Sequence, residues 1–178
     1  MKEFLYLKGG LRSLQWSTRF VYTLFLLFSL ASYAVMFALA AQRSGFSSGS
    51  VAAYYAGDES QAHYPKTTGE LLEVTHFHLF SMPMLLFVQG HLFMMTRWPR
   101  RLKIAIVSAA FVGAALDLAA PWLVLYVSRD LACAKMIARV LLGPALIAFA
   151  LVPLREMWWR DEDERSTVVR RASKLGEE

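Results

Sequence analysis

The sequence predicts an all-α integral membrane four-helix bundle with both termini cytoplasmic. Three observations predict it. The 178 residues are 56% hydrophobic with a mean hydropathy of +0.38, too apolar for an ordinary soluble domain. The apolar residues fall in four long runs, not in short alternations, which is the pattern of spanning helices. The basic residues collect between the runs and alternate in number. The first, third and last connecting regions hold 14 Lys/Arg and the two alternate loops hold 3. By the positive-inside rule both ends then lie in the cytoplasm and the loop 42–73 lies outside, in the periplasm if the membrane is a bacterial inner membrane.

Residues 1–19 form a basic, partly amphipathic tail. Lys2, Lys8, Arg12 and Arg19 stand against Glu3, and Leu5, Leu11, Leu14 and Trp16 suggest a segment lying on the membrane surface. The bundle itself is expected over residues 20–154. Its first span, 20–41, ends in Phe37-Ala38-Leu39-Ala40, which has the look of a signal-cleavage site. An apolar stretch of 22 residues is too long for a usual signal, and an uncleaved anchor is expected.

The connection 42–73 begins Gly/Ser-rich and continues with Tyr54, Tyr55, Asp58, Glu59, His63, Tyr64 and Pro65. Its aromatics predict a short structured element against the membrane face. A helix is expected to start at Thr67 or Thr68, with Glu70 in its first turn, and to run directly into the second span, 74–96. Arg97-Trp98-Pro99-Arg100-Arg101 then makes a turn from an aromatic anchor, a helix breaker and a basic cluster. The third span, 102–127, holds Asp117 and Pro121. The three-residue turn Ser128-Arg129-Asp130 makes spans three and four antiparallel neighbours. The fourth span, 131–154, holds Lys135, Arg139 and Gly143-Pro144, with a kink expected at the proline, as at Pro83 in the second span. Residues 155–178 are a charged cytoplasmic tail in which Asp161-Glu162-Asp163-Glu164 precedes four basic residues.

The net charge of +5 is explained by topology and implies no nucleic-acid partner. The single Cys133 excludes an internal disulfide, a four-cysteine zinc site and CxxCH haem attachment. No P-loop, GxGxxG or HExxH occurs, and no catalytic constellation is evident. The inner halves of spans one, three and four are too apolar for a transport path.

Candidate function concentrates in the second span, which carries three of the four histidines, His76, His78 and His91. Titratable groups in a span cost free energy unless a partner, a metal or water takes them up. At about 1.5 Å per residue, His76 and His78 lie about 3–6 Å below the outer boundary, Asp117 about 15 Å, and Lys135 and Arg139 about 6 and 12 Å. Glu73, His76, His78, Asp117, Lys135 and Arg139 are therefore expected to share the outer half of the bundle, with Arg139 pairing with Asp117. At about 100° per residue His76 and His78 face nearly opposite ways, whereas His76 and His91 lie within about 60° and about 22 Å apart along the axis.

In this spacing the helix resembles those of membrane cytochromes b, whose helices carry histidines on one face near each membrane boundary. The resemblance implies haem b held by His76, His78 or His91, with Lys135 and Arg139 facing propionates. It covers one helix only. The other spans hold no histidine, so the second ligand is expected from Met36, Met136, His63 or another subunit. Two other cofactors fit the residues: a non-haem metal ion on Glu73, His76, His78 and Asp117, or a quinone beside the histidines and Asp117 under Tyr54, Tyr55 or Tyr64. The function expected is a membrane subunit of an electron-transfer complex, passing electrons between the quinone pool and an outside-facing partner. A cofactor-free anchor or assembly subunit is the alternative. Expected partners are other membrane subunits, lipid, a periplasmic redox protein, or further copies of the chain.

Overall fold

The computed structural model of the chain describes residues 10–59 and 63–159. Five α-helices account for most of them: α1 (Trp16–Arg43), α2 (Ser48–Ala56), α3 (Thr68–Met94), α4 (Arg100–Tyr126) and α5 (Cys133–Trp158). Four of these, α1, α3, α4 and α5, are long and apolar enough to cross a membrane. The protein is a membrane-spanning helical bundle. The expectations for Lys2, Glu3, Leu5 and Lys8, and for the acidic and basic runs after 159, lie outside the described residues.

Among the spanning helices only α3 begins at a side-chain cap, which sits where the chain can satisfy its orphan amides, not where hydropathy rises. α3 starts where the sequence places it. The Thr67 hydroxyl accepts from the Glu70 amide at 3.2 Å, and the Glu70 carboxylate accepts from the Thr67 amide at 2.8 Å. The structured element of the loop is α2. It begins inside the Gly/Ser-rich stretch, through a reciprocal Ser47–Ser50 cap. Gly57 ends it at φ 80°, where a Cβ would lie 2.8 Å from the His63 carbonyl. Pro83 and Pro144 fall inside helices that run on past them.

α5 is the hub: it packs against α1, α3 and α4. Its most apolar stretch is 39% buried, against 11% for α1, so α1 is the peripheral member. The α4–α5 seam is built from small residues, Ala110, Gly113 and Ala114 on α4 with Ala138 and Ala145 on α5. Small residues let helices approach until dispersion holds them, the main attraction available in lipid. A Cβ on Gly113 would stand 3.0 Å from the Leu142 amide nitrogen and 3.2 Å from the Ala138 carbonyl. Phe93 and Phe149, both fully buried and 5.2 Å apart, fill the space between α3 and α5.

At the end away from α2, the Trp158 indole donates to Thr23 at 2.8 Å and Arg19 lies over the Trp158 ring, tying α5 to α1. The Glu156 carboxylate accepts from the Arg97 amide at 2.9 Å, and Lys103 donates to the Met94 and Thr96 carbonyls at the α3–α4 turn. Leu11 and Leu14 are buried with Leu26, Leu92 and Met157, so this part of the tail packs against the ends of the helices.

Candidate functional site

The polar residues expected to share one site divide between two places. The first is a cap beneath α2. Gly113 sets the register of α4 on α5 by meeting the Ala138–Leu142 turn. One turn along α4 is Asp117, and about one turn back along α5 is Lys135. The two pair, with Lys135 Nζ 2.8 Å from the Asp117 carboxylate and 3.0 Å from its carbonyl. The expected Arg139–Asp117 pair is corrected accordingly. Arg139 donates instead to Ser44 Oγ at 2.6 Å and to the Gly45 carbonyl. The chain leaving a helix C-terminus carries carbonyls without helical donors and a partial negative charge, which suits a guanidinium.

Tyr55 of α2 lies above the ion pair, with Lys135 Nζ 5.9 Å from its ring centre. Burial pushes the Tyr55 hydroxyl up to about 12, and the Asp117 charge pushes the same way. Arg129 donates to the Gly57 carbonyl, and Met136 packs against the buried cluster of Val51, Ala52, Val124 and Ala132. The three cations therefore hold α2 and its flanking loops onto the bundle. Lys135, Arg139 and Met136 are occupied here, away from the histidines.

The second place is α3. His76 and His91 are exposed on its outward surface, His91 stacked on Phe87 at 6.3 Å. His78 is half-buried and shares a stripe of α3 with Met82 and Gln89. Its Nδ1 lies 2.8 Å from the Val74 carbonyl. A carbonyl only accepts, so Nδ1 carries the proton and Nε2 of the neutral ring keeps its lone pair. Glu73 is exposed, and Asp117 faces the α4–α5 seam instead of α3. Among the described residues no three His, Cys, Asp or Glu side chains converge as a metal site, so Glu73, His76, His78 and Asp117 are not brought together. His63 exchanges backbone hydrogen bonds with Asp58 in the loop.

Met36 is exposed on α1 and does not stand level with His78. The Tyr33 hydroxyl of α1 donates to Gln89 Oε1 of α3. Counting from that contact toward α2, Met36 is about 5 Å along and His78 about 16 Å. Gln89 is itself a feature that the sequence reading passed over. It is fully buried, and its Nε2 meets no acceptor among the described residues. Its signal was available: it is the one amide side chain in the α3 run.

A groove of about 430 Å³ lies between α3 and α4. Its lining is almost wholly apolar and includes Leu79 and Pro83 on α3 and Phe111 and Ala115 on α4. At its α2-side end the Trp122 indole donates to the Thr75 hydroxyl at 2.9 Å, and the Tyr126 and Thr68 hydroxyls are bonded at 2.6 Å.

A family described as a transmembrane helical domain, Aq_1264_TM, matches residues 45–164, about two thirds of the chain. The chain belongs to the Aq_1264_TM family. The Aq_1264_TM match begins just after α1 and takes in α2, α3, α4 and α5. The histidine helix, the groove and, apart from Ser44, the cap thus fall within the Aq_1264_TM domain, whereas Met36 and Tyr33 fall outside it. No curated protein and no solved structure matches the chain.

Proposed function

We propose that the protein is a membrane subunit of an electron-transfer complex, in which α3 offers a histidine ligand to a redox cofactor completed by a neighbouring chain. The observation that carries this is His78. Its Nδ1–H is anchored on the Val74 carbonyl, which fixes the ring and its tautomer and leaves Nε2 as a donor atom. Metal-bound histidines are habitually held this way by their second nitrogen. Such an imidazole within a span calls for a partner. With Met136 committed to the cap and Met36 off level, the complementary ligand comes from outside the chain. A b-type haem suits a single histidine facing a second ligand from another subunit. A non-haem ion would need further donors from the same source.

The count of 14 Lys/Arg against 3 supports an orientation with both termini in the cytoplasm and α2 outside, which is the periplasm if the membrane is a bacterial inner membrane. The cofactor would then lie toward the periplasmic face, where it could exchange electrons between the quinone pool and a periplasmic redox protein.

The test is an oxidised-minus-reduced spectrum of the gently purified complex, with a metal count on the same sample. Sharp α and Soret bands are expected, and His78→Ala should shift or abolish them while the chain still inserts. An unchanged spectrum removes His78 as ligand. If neither haem bands nor stoichiometric metal is found, the protein is a cofactor-free anchor, a role in which the cations holding α2 would serve assembly alone. A reporter fused at residue 50 should read outside and one at 178 inside. The reverse would place His78 near the cytoplasm and remove the periplasmic partner.

A further inference from the structure

The groove between α3 and α4 has chemistry of its own, separate from the His78 stripe. Its volume of about 430 Å³ is that of small-ligand pockets. It opens sideways on the surface that meets lipid: Leu79 and Phe111 on its walls are 62% and 41% exposed. A ligand would therefore come from the bilayer. The small Ala115 helps to make the hollow on the α4 side.

Two polar features break the apolar lining. The Thr75 hydroxyl accepts from Trp122, while its own O–H donates to no acceptor among the described residues. An unspent donor facing hydrocarbon is costly and invites a carbonyl. Pro83, one turn past Leu79, has no amide hydrogen to return to the Leu79 carbonyl, so that the groove wall carries an acceptor short of its helical donor. The Trp122 ring is held flat by its bond to Thr75 and by stacking on Tyr126 at 5.9 Å, which presents a fixed aromatic wall. An acyl chain asks for neither a donor nor a flat wall. A lipid-soluble quinone asks for both, and its reduced form, with hydroxyls in place of carbonyls, needs an acceptor as well.

The geometry points to this groove as the binding site of a membrane quinone, its ring against Trp122, one carbonyl accepting from Thr75 and its isoprenoid tail leaving into lipid. The inference deepens the electron-transfer reading by placing the quinone, and rests on that reading for its purpose. Its test measures binding, not redox turnover, so that the two fail separately.

The full chain, in nanodiscs of quinone-free phospholipid, is titrated with short-tailed benzoquinone and naphthoquinone analogues, followed by tryptophan fluorescence quenching and native mass spectrometry. Saturable binding of one quinone per chain is expected. Thr75→Val keeps the shape and removes the donor, and should weaken binding about three- to tenfold. Thr75→Ser should keep wild-type affinity. Ala115→Leu fills the hollow and should abolish saturable binding with the helical circular dichroism unchanged. Equal affinity in the wild type, Thr75→Val and Ala115→Leu overturns the proposal. So does a bound phospholipid that Ala115→Leu expels while no quinone binds the wild type, which would make the groove a seat for an acyl chain.

Discussion

Asp117→Ala is expected to destabilise the bundle by about 3 kcal/mol, because it strands the Lys135 ammonium in the α4–α5 seam. Lys135 Nζ is 2.8 Å from the Asp117 carboxylate, and the Lys135 and Asp117 side chains are only 12% and 24% exposed. What remains for the ammonium is the residue-117 carbonyl and the Tyr55 ring, neither of which neutralises its charge. The measurement is reversible unfolding in mixed micelles as the fraction of denaturing detergent rises, read by circular dichroism. The double variant Asp117→Leu with Lys135→Met should regain most of the loss, since apolar residues of similar volume often replace a buried pair at no cost. Asp117→Ala combined with Arg139→Ala should instead give near-additive losses, because Arg139 is bonded to Ser44 and Gly45 and shares no hydrogen-bond partner with Asp117. Recovery in that second pair would show that the two residues touch after all.

Gly113→Leu is expected to prevent native packing of α4 on α5. Even the first carbon of a side chain there would meet the Leu142 nitrogen at 3.0 Å and the Leu141 Cβ at 3.1 Å. Those neighbours are backbone or a Cβ, which cannot swing aside as a long side chain can. Gly113→Ala should cost about 1–3 kcal/mol, the usual range for overpacking, and Gly113→Leu should leave no cooperative unfolding transition. Gly143→Ala is the control. A Cβ at that position meets nothing within 4 Å, so wild-type stability is expected. If Gly113→Leu unfolds as the wild type does, the close seam is wrong.

The fold was legible because lipid imposes few solutions. A run of some twenty apolar residues must be a helix, whose backbone groups satisfy one another. Thr67 and Glu70 announced the start of α3, and the brevity of Ser128-Arg129-Asp130 made α4 and α5 neighbours. The site was legible in one dimension only. Depth follows from counting residues, and it rightly set Asp117, Lys135 and Arg139 on the same side of the bundle. Rotation about each axis does not follow from counting. It depends on which face a neighbour covers, and α4 turns Asp117 toward α5 while it turns Trp122 toward α3. The partners of Arg139 were beyond reach for another reason. They are a serine and a backbone carbonyl just past the end of α1, and a backbone carbonyl has no residue signature.

The peripheral place of α1 has a consequence for biosynthesis. The ribosome makes α1 first, yet the helix it leans on, α5, is made last. At about 5–20 residues per second roughly 10 s separate the two. Through that interval α1 must live in the bilayer without the helix it leans on. Its make-up suits it to wait. Thr23 and Ser29 donate to the carbonyls of Arg19 and Phe25 on its own preceding turn, whereas the Tyr33 hydroxyl waits for a partner from another helix. α3 arrives meanwhile with the Gln89 amide equally unwed. The hydrogen bond between them would close only when α5 has drawn α1 in, which makes the earliest piece of the nascent chain the last to find its place.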